Sequence, residues 1–294
     1  DLLRRMCRSG GAQSDALCEA IASLARRLAS SPLPMDSIPG LISSRLIALR
    51  KDADGIRPIG IGEVTRRLLC KAILSVTKSD LQDACAPRQL ACGLPGGCEA
   101  AAHALQTLWE DPKTEVVLLA DAGNAFNRLN RKLAIRSSRK HCPSLSVAFH
   151  NFYGSKGRLL LSNGESLWSE EGTTQGCPLG MAMFSVASMP LIEKTEQEGA
   201  HQLWYADDSG AAGKVSSTHL WYSSLQEHGP SHGYFSNLKK FVAIVKPDNL
   251  SEFEHTFASA IGAGLRVLSP GLEWGLDRED GEAARFSLGH ATWG

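Results

Sequence analysis

The sequence lacks any apolar run long enough to cross a membrane, and no signal peptide is evident at its start. Its eight cysteines contain no CxxC pair, so neither a zinc site nor a disulfide framework is predicted. Scattered cysteines are typical of reduced thiols in an intracellular protein, in the cytoplasm or the nucleus. We therefore expect no membrane partner, and the sequence leaves the oligomeric state open.

The sequence also lacks net charge, with 31 basic and 31 acidic residues, which argues against a uniformly cationic nucleic-acid binder. The charge is nevertheless unevenly distributed. Eight basic residues lie between Arg45 and Lys78, and eight more lie between Ala122 and Gly164, where there is no acid at all. This segregation predicts a basic channel for a polyanion, although solvated helix faces are the ordinary explanation of charge runs.

The glycine-rich bend Cys92–Gly97 lacks the Lys-Ser/Thr pair of a phosphate-binding loop and the preceding strand of a dinucleotide site. Both of those sites are therefore excluded. Glycines also allow a close approach of the backbone to another chain, such as a template strand. That interpretation makes Gly96 and Gly97 candidate nucleic-acid contacts.

Paired aspartates, Asp207 and Asp208, follow a short apolar stretch and precede Ser-Gly, which predicts a β-hairpin with both carboxylates at its tip. Adjacent carboxylates repel each other, so we expect a compensating cation, for which a divalent ion with oxygen ligands is the simplest candidate. Ordinary solvated turn chemistry is the alternative. Another acid, Asp121, ends the apolar run that begins at Val116, where a carboxylate is costly unless it is used or capped.

Hydrophobic periodicity predicts a basic hairpin with strands Leu46–Leu49 and Arg57–Ile61, followed by a helix from Glu63 to about Asp83. The inward face of that helix is predicted to contain four apolar residues: Val64, Leu68, Ala72 and Val76. The basic residues of the same helix, Arg66, Arg67 and Lys71, are then available to solvent or to phosphate.

Five blocks of sequence, in this order, resemble the reverse transcriptase domain of a LINE-type (non-LTR) retroelement. They are Gly55–Ile59, Asp121–Phe126, Glu171–Leu179, Tyr205–Asp208, and Gly233–Asn237 with Lys240. The resemblance implies an α+β fold comprising the fingers and palm of a right-hand polymerase. The palm sheet is expected to be mostly antiparallel and flanked by helices, with the thumb absent or truncated.

The resemblance also implies a division of the chain. An N-terminal helical extension is expected over residues 1–36, fingers over 37–96 and 132–171, and palm over 97–131. Residues 172–294 are expected to run from the palm to the primer-grip region, of which Ser287–His290 would be the remnant.

The implied activity is RNA-directed DNA polymerisation, in which a nucleotide passes from a dNTP to the 3′-hydroxyl of a DNA primer on an RNA template. Such transfer uses two divalent ions, Mg²⁺ or Mn²⁺, roughly 3.5–4 Å apart. The resemblance assigns catalysis to Asp121, Asp207 and Asp208, and metal binding to these three residues and Ala122. The implied dNTP-binding residues are Arg50, Lys51, Arg57, Asn124, Ala125, Phe126, Gln175, Gly176 and Lys240. The implied template and primer contacts are Arg66, Gly96, Gly97 and Tyr205.

The sequence departs from the family pattern at Cys177, since an acid commonly follows the Gln-Gly pair. One alternative is a catalytically silent retroelement remnant that keeps the fold and RNA or DNA binding, because the missing initiator methionine indicates a fragment. Another alternative is an RNA-dependent RNA polymerase. Such enzymes share the palm but usually read Gly-Asp-Asp at the paired aspartates and place a small or polar group where Phe126 stands.

Overall fold

The computed structural model of the protein describes residues 2–34, 36–51 and 55–270. The chain divides into two compact units. The first unit contains the residues up to 84 together with 131–186, and the second unit contains 85–130 together with the residues from 187 onward. The predicted division into helical extension, fingers and palm stays a prediction.

The helices of the described residues, in chain order, are α1 (Leu2–Arg8), α2 (Ala12–Ser30), α3 (Pro39–Ile42), α4 (Val64–Val76), α5 (Lys78–Cys85), α6 (Gly97–Glu110), α7 (Ala125–Arg128), α8 (Arg131–His141), α9 (Pro143–Tyr153), α10 (Leu179–Lys194), α11 (Val215–His232), α12 (Leu250–Thr256) and α13 (Ala258–Gly262). The strands are β1 (Ser44–Arg50), β2 (Ile56–Gly62), β3 (Val116–Ala120), β4 (Gly157–Leu160), β5 (Ser166–Ser169), β6 (Ala200–Tyr205), β7 (Asp208–Gly213), β8 (Val242–Val245) and β9 (Arg266–Leu268). Short 3₁₀ turns cover Leu238–Lys240 and Pro247–Asn249.

The first unit contains a sheet with the strand order β2-β1-β4-β5. The predicted basic hairpin is confirmed, since β1 and β2 pair antiparallel over their full lengths. Residues 52–54, where its turn was predicted, lie outside the described residues. Helix α2 packs against α4 and α9. The Asn151 amide of α9 fixes the end of α2 by donating to the carbonyls of Leu28 and Ser31 at 2.8 and 3.0 Å.

The predicted helix from Glu63 to Asp83 is present as two helices, α4 and α5, and its predicted inward face is wrong. Val64 and Val76 are 54% and 81% exposed. The face that is buried contains Arg66, Leu69, Cys70 and Ile73. This set also recurs every three to four residues, so periodicity alone allowed either face. The choice depends on what packs against the helix.

The second unit is organised around a sheet with the order β6-β7-β3-β8-β9. Its central strand β3 pairs antiparallel with β7 on one side and with β8 on the other, and all five of its residues are buried. Leu105 of α6 packs with Val117 and Leu119 on one face. Trp221 of α11 packs edge-on against Trp204 of β6, with ring centroids 6.5 Å apart. Because both faces are covered, β3 is continuously apolar.

The mixed architecture with antiparallel-rich sheets confirms the predicted α+β class. Within the described ranges, no helix combines the length and the apolar character needed to cross a bilayer. The predicted primer-grip remnant, Ser287–His290, lies outside the described residues.

Candidate active site

The acids singled out by the sequence lie at one edge of the sheet in the second unit. Strand β3 ends at Ala120, which is opposite Ser209 of β7. Asp121 follows Ala120 and Asp208 precedes Ser209, so the antiparallel register puts these two acids at the next opposed positions. The predicted hairpin is present, and its two-residue turn consists of Ala206 and Asp207, whereas Asp208, also predicted at the tip, is the first residue of β7. The sheet therefore gathers Asp121, Asp207 and Asp208.

The hairpin turn depends on a buried glutamine that the sequence analysis missed. Ala206 has a φ of +54°, a conformation unfavourable for a residue with a Cβ. The fully buried side chain of Gln89 accepts a hydrogen bond from the Ala206 amide at 2.8 Å and donates to the Ala206 carbonyl at 3.0 Å. The side-chain amide of Gln89 also donates to the Ser188 hydroxyl at 3.2 Å. No local pattern marks Gln89, because its partners are about a hundred residues away.

A second segment reaches the carboxylates from the other side. The Gly123 amide donates to the Phe235 carbonyl at 2.7 Å, and the Asn237 amide donates to the Asp121 carbonyl at 2.9 Å. Residues 235–237 therefore run antiparallel to residues 121–123. This pairing brings Lys240 to the site, where its ammonium donates to Asp121 Oδ2 at 2.8 Å. Lys240, predicted to bind the dNTP, thus contacts one of the predicted catalytic acids.

The carboxylates carry more negative charge than their surroundings compensate. Burial raises the pKa of Asp208 to about 8, and repulsion by Asp207 and Asp121 adds to the effect, while Lys240 opposes it. Burial also raises the pKa of Tyr234, whose hydroxyl lies 3.0 Å from Ser209 Oγ. Asp208 is therefore largely protonated at neutral pH, and an added cation at this edge would favour its ionised form.

The carboxylates of Asp121, Asp207 and Asp208 are candidate ligands of a divalent ion. Among the described residues, no group of three or more His, Cys, Asp or Glu side chains is arranged to hold a metal ion. Lys240 instead contacts Asp121. The three carboxylates are nevertheless the hard oxygen donors that Mg²⁺ and Mn²⁺ prefer. Burial, followed by repulsion from Asp207 and Asp121, raises the pKa of Asp208, and a bound cation would oppose that shift. The residues fit such ions by chemistry.

The remaining predicted nucleotide contacts of the second unit surround the turn after β3. Asn124 has a φ of +59° and is exposed, and its side-chain oxygen accepts a hydrogen bond from the Asn127 amide at 2.6 Å. Ala125 is buried, so only its backbone is available to a ligand. Phe126 is half-buried in α7.

The predicted template contacts of the second unit have differing surroundings. Gly96 is exposed with a φ of +65° and precedes α6. A Cβ on Gly97 would lie 2.4 Å from the Leu90 carbonyl oxygen, so internal packing explains that glycine. Tyr205 is half-buried, and burial is the main cause that raises the pKa of its hydroxyl.

The first unit contains the other predicted nucleotide contacts. Arg50, Lys51 and Arg57 are exposed at the end of the β1–β2 hairpin where Arg50 pairs with Ile56. The Gln175 carbonyl accepts a hydrogen bond from the Gly60 amide at 2.8 Å. Gly176 has a φ of +103°, and a Cβ there would lie 2.9 Å from the Gly60 carbonyl oxygen. Its glycine is therefore required by packing of the loop on β2.

The prediction that Arg66 is available to solvent or phosphate is wrong, because its residue is 1% exposed. Its guanidinium donates to the Ile42 carbonyl at 2.7 Å and lies over the rings of Phe152 and Tyr153. Arg131, also counted in the basic segments, is 5% exposed and holds the loop after β5 by donating to Ser169 and Gly172. These two cations stabilise the interior and do not contribute to a basic surface.

Comparison with known proteins agrees with this geometry. Residues 49–251 match the family model described as reverse transcriptase (RNA-dependent DNA polymerase). The chain belongs to the reverse transcriptase family. No curated protein matched the chain.

Solved structures similar to this reverse transcriptase chain include telomerases of two Candida species. Telomerase from Candida albicans, in complex with a TWJ fragment of telomeric RNA, is 11% identical with a TM-score of 0.51, over 78% of this chain and 45% of that one. Apo telomerase from Candida tropicalis, truncated from its C-terminal domain, is 12% identical with a TM-score of 0.52, over 80% and 57%. Apo telomerase from the same species is 12% identical with a TM-score of 0.52, and the match covers 79% of this chain and 49% of that one.

At these identities the likeness concerns the fold alone, and the reverse transcriptase fold predicted from the sequence is confirmed. The chain spans about half the length of the solved structures that it matches.

Proposed function

We propose that the chain is the RNA-directed DNA polymerase domain of a LINE-type (non-LTR) retroelement, which transfers a nucleotide from a dNTP to a primer 3′-hydroxyl on an RNA template. The observation that carries the proposal is the gathering of Asp121, Asp207 and Asp208 at one sheet edge, with Lys240 bound to Asp121. Burial and the neighbouring carboxylates raise the pKa of Asp208 to about 8, and such shifts are concentrated at functional sites. The LINE-type assignment rests on the order of the five sequence blocks.

Two divalent ions, when bound, would activate the primer hydroxyl and neutralise the leaving pyrophosphate. Asp121, Asp207, Asp208 and the Ala122 carbonyl would hold them. The hydrogen bonds of the neighbouring segment use the Asp121 carbonyl and the Gly123 amide, on either side of Ala122, and so fix the direction of the backbone there. The Gln89 amide holds the turn that carries Asp207.

The remaining assignments are proposed contacts to nucleotide and nucleic acid. Lys240 is proposed to act near the pyrophosphate as a general acid, since its ammonium already lies beside Asp121. Arg50, Lys51 and Arg57, exposed on their hairpin, are proposed to contact the triphosphate, where negative charge develops in the transition state. Asn124, Ala125, Phe126, Gln175 and Gly176 are proposed to line the incoming nucleotide, and Gly96 and Tyr205 the template or primer.

The test is primer extension on an RNA template with dNTPs and Mg²⁺. We expect extension by the wild-type chain and only background extension by Asp207→Asn, because the substitution removes a charged ligand. Asp248→Asn replaces an exposed aspartate of the same unit and is expected to extend like the wild type. Equal rates for the wild type and Asp207→Asn would overturn the proposal.

The alternatives give other outcomes in the same assay. If the chain is a silent remnant, it would bind primer and template, but neither the wild type nor the variants would extend the primer. An RNA-dependent RNA polymerase would extend with rNTPs in preference to dNTPs.

A further inference from the structure

Two cysteines that are far apart in sequence meet a buried arginine in the first unit. Arg66 and Cys70 lie one turn apart on α4 and so share a helix face. The Arg66 guanidinium donates to Cys177 Sγ at 3.5 Å, and the thiol of fully buried Cys70 is a hydrogen-bond partner of the same sulfur. We call these three residues the Arg66 cluster.

The Arg66 guanidinium and the Cys177 sulfur of this cluster are placed to form an ion pair. A buried guanidinium is costly unless an anion pairs with it. The other hydrogen bonds of Arg66 in the described part of the chain go to neutral groups, the Ile42 carbonyl and the Ser44 hydroxyl. The hydrogen bond from Cys70 and the charge of Arg66, opposed by burial, lower the pKa of Cys177 to about 5. The surroundings of Cys177 therefore favour its ionised form, in the position where the family commonly has an acid.

Cys70 has the opposite character. Its hydrogen bond to Cys177, followed by burial, raises its pKa, which favours Cys70 as the thiol that donates to the Cys177 sulfur. Cys70 is sealed in the core, whereas Cys177 is half-buried in a loop next to exposed Gly176. Cys177 is thus the more exposed residue of the two, and we expect a small oxidant to meet its sulfur first.

We propose that Cys177 is a peroxide-reactive site and that Cys70 resolves the oxidised sulfur as a disulfide. In the first step the Cys177 thiolate attacks one oxygen of hydrogen peroxide. A sulfur–oxygen bond forms, the oxygen–oxygen bond breaks, and hydroxide leaves and takes a proton from solvent. The sulfur is oxidised by two electrons and the peroxide is reduced.

In the second step the Cys70 sulfur attacks the Cys177 sulfur of the sulfenic acid. The sulfur–sulfur bond forms, the sulfur–oxygen bond breaks, and the hydroxyl leaves with the proton of Cys70 as water. The disulfide removes the anion that pairs with Arg66. Gln175 precedes Cys177 by two residues, and its carbonyl accepts a hydrogen bond from the Gly60 amide. Oxidation of Cys177 is therefore expected to disturb the contact of this loop with Gly60.

A second pair of hydrogen-bonded cysteines, Cys7 and Cys18, allows a comparison within the chain. Cys18 is exposed, and its hydrogen bond to Cys7 is the main cause that raises its pKa. Exposure alone predicts that Cys18 reacts faster than Cys177, whereas ionisation predicts the reverse, since the thiolate is the nucleophile. The two explanations can therefore be separated within one molecule.

The first experiment is alkylation of the reduced full chain at pH 6 with limiting iodoacetamide, followed by peptide mass spectrometry. We expect Cys177 to be alkylated at least about tenfold faster than Cys18, because a thiol of ordinary pKa is almost entirely protonated at that pH. Faster alkylation of Cys18 would overturn the proposal.

The second experiment is titration of the reduced chain with hydrogen peroxide. We expect a peptide pair that joins Cys70 to Cys177 with the loss of two hydrogens. In Cys70→Ala, oxidation should stop at a Cys177 sulfenic acid that dimedone traps, whereas Cys142→Ala, which truncates another buried cysteine of the same unit, should still form the disulfide. Absence of the joined peptide from the wild type would overturn the proposal.

The third experiment tests the ion pair and does not depend on polymerase activity. Cys177→Asp keeps the negative charge, so its melting temperature should be close to that of the wild type, and its Cys70 thiol should survive peroxide. Cys177→Ser leaves Arg66 without an anion and should melt roughly 5 °C lower. A serine variant as stable as the wild type would contradict the ion pair on which the proposal rests.

Discussion

The side-chain amide of Gln89 pairs with both backbone polar groups of Ala206, at 2.8 and 3.0 Å. This pairing satisfies the buried amide and carbonyl of a residue held at a φ of +54°. Ala206 lies between Tyr205 and Asp207, so the position of Asp207 depends on a glutamine that is outside the hairpin. The candidate active site is in this sense built from the interior of the second unit outward.

Gln89→Ala is expected to leave both polar groups of Ala206 buried without a partner. We expect a loss of about 2–4 kcal/mol in the free energy of unfolding, together with weaker primer extension. The measurements are denaturant unfolding and extension rates, with Gln106→Ala on the exposed face of α6 as the matched control. A Gln89→Ala variant with the stability of Gln106→Ala would contradict the role given to Gln89.

Asp208 should make the metal-free protein less stable as the pH rises. Its pKa is raised to about 8 in the folded chain from 3.8, so the folded state holds a proton that the unfolded state releases between those values. Stability is therefore greatest below pH 4 for this group and is lost progressively up to about pH 8. Asp208→Asn mimics the protonated carboxyl and should stabilise the protein by about 2–4 kcal/mol at pH 8 and much less at pH 5.

The measurement is thermal unfolding of the wild type and Asp208→Asn at pH 5 and pH 8 in the presence of a chelator. Asp248→Asn, which changes an exposed carboxylate of the same unit, serves as the control. An equal shift in melting temperature at the two pH values would show that Asp208 does not carry the raised pKa.

The elements that the sequence predicted well are those whose signal is local. All five residues of β3 are buried, so the strand is a continuous apolar run that can be recognised in the sequence. The acid Asp121 follows it directly. The β6–β7 hairpin was predicted from its own residues, although Asp208 was expected at the tip and is in β7. The ordered blocks then related these acids to the reverse transcriptase of a LINE-type retroelement, and the family match confirms the reverse transcriptase family.

The elements that the sequence predicted poorly depend on long-range partners. The buried face of α4 was misassigned because Arg66 is held inside by partners that are distant in sequence, such as Ile42 and Cys177. Because an arginine on a helix is ordinarily exposed to solvent, the sequence predicted that Arg66 lies at the surface. Gln89 was missed for the same reason, since its partners are in β6–β7 and α10.

Binding to a primer–template duplex should weaken steeply with salt despite the zero net charge. Most basic residues of the two basic segments are exposed, Arg66 and Arg131 being buried, and exposed cations that contact phosphates release counterions on binding. We expect Arg57→Gln to reduce the slope of log affinity against log salt by about one. Lys113→Gln, outside both segments, should leave the slope unchanged. An isotherm that is flat between low and physiological salt would contradict nucleic-acid binding by these segments.

Phe126 is predicted to exclude ribonucleotides. It follows Asp121 by five residues and is half-buried in α7, so part of its ring is available to a ligand. An aromatic ring beside the sugar discriminates by exclusion, because an added 2′-hydroxyl must either clash or lose its hydration, a misfit of at most about 3 kcal/mol. Phe126→Val should therefore raise ribonucleotide incorporation while changing deoxynucleotide incorporation much less.

The measured quantity is the ratio of extension efficiencies, dNTP over rNTP, in the wild type and Phe126→Val. Phe235→Val is a useful comparison, because Phe235 is a partly exposed aromatic residue of the same unit that packs under the Arg128 guanidinium. A fall in the ratio for Phe126→Val alone would identify the ring as the sugar-discriminating group. An unchanged ratio in a folded Phe126→Val variant would mean that the ring serves packing, and the preference for DNA synthesis would then need another source.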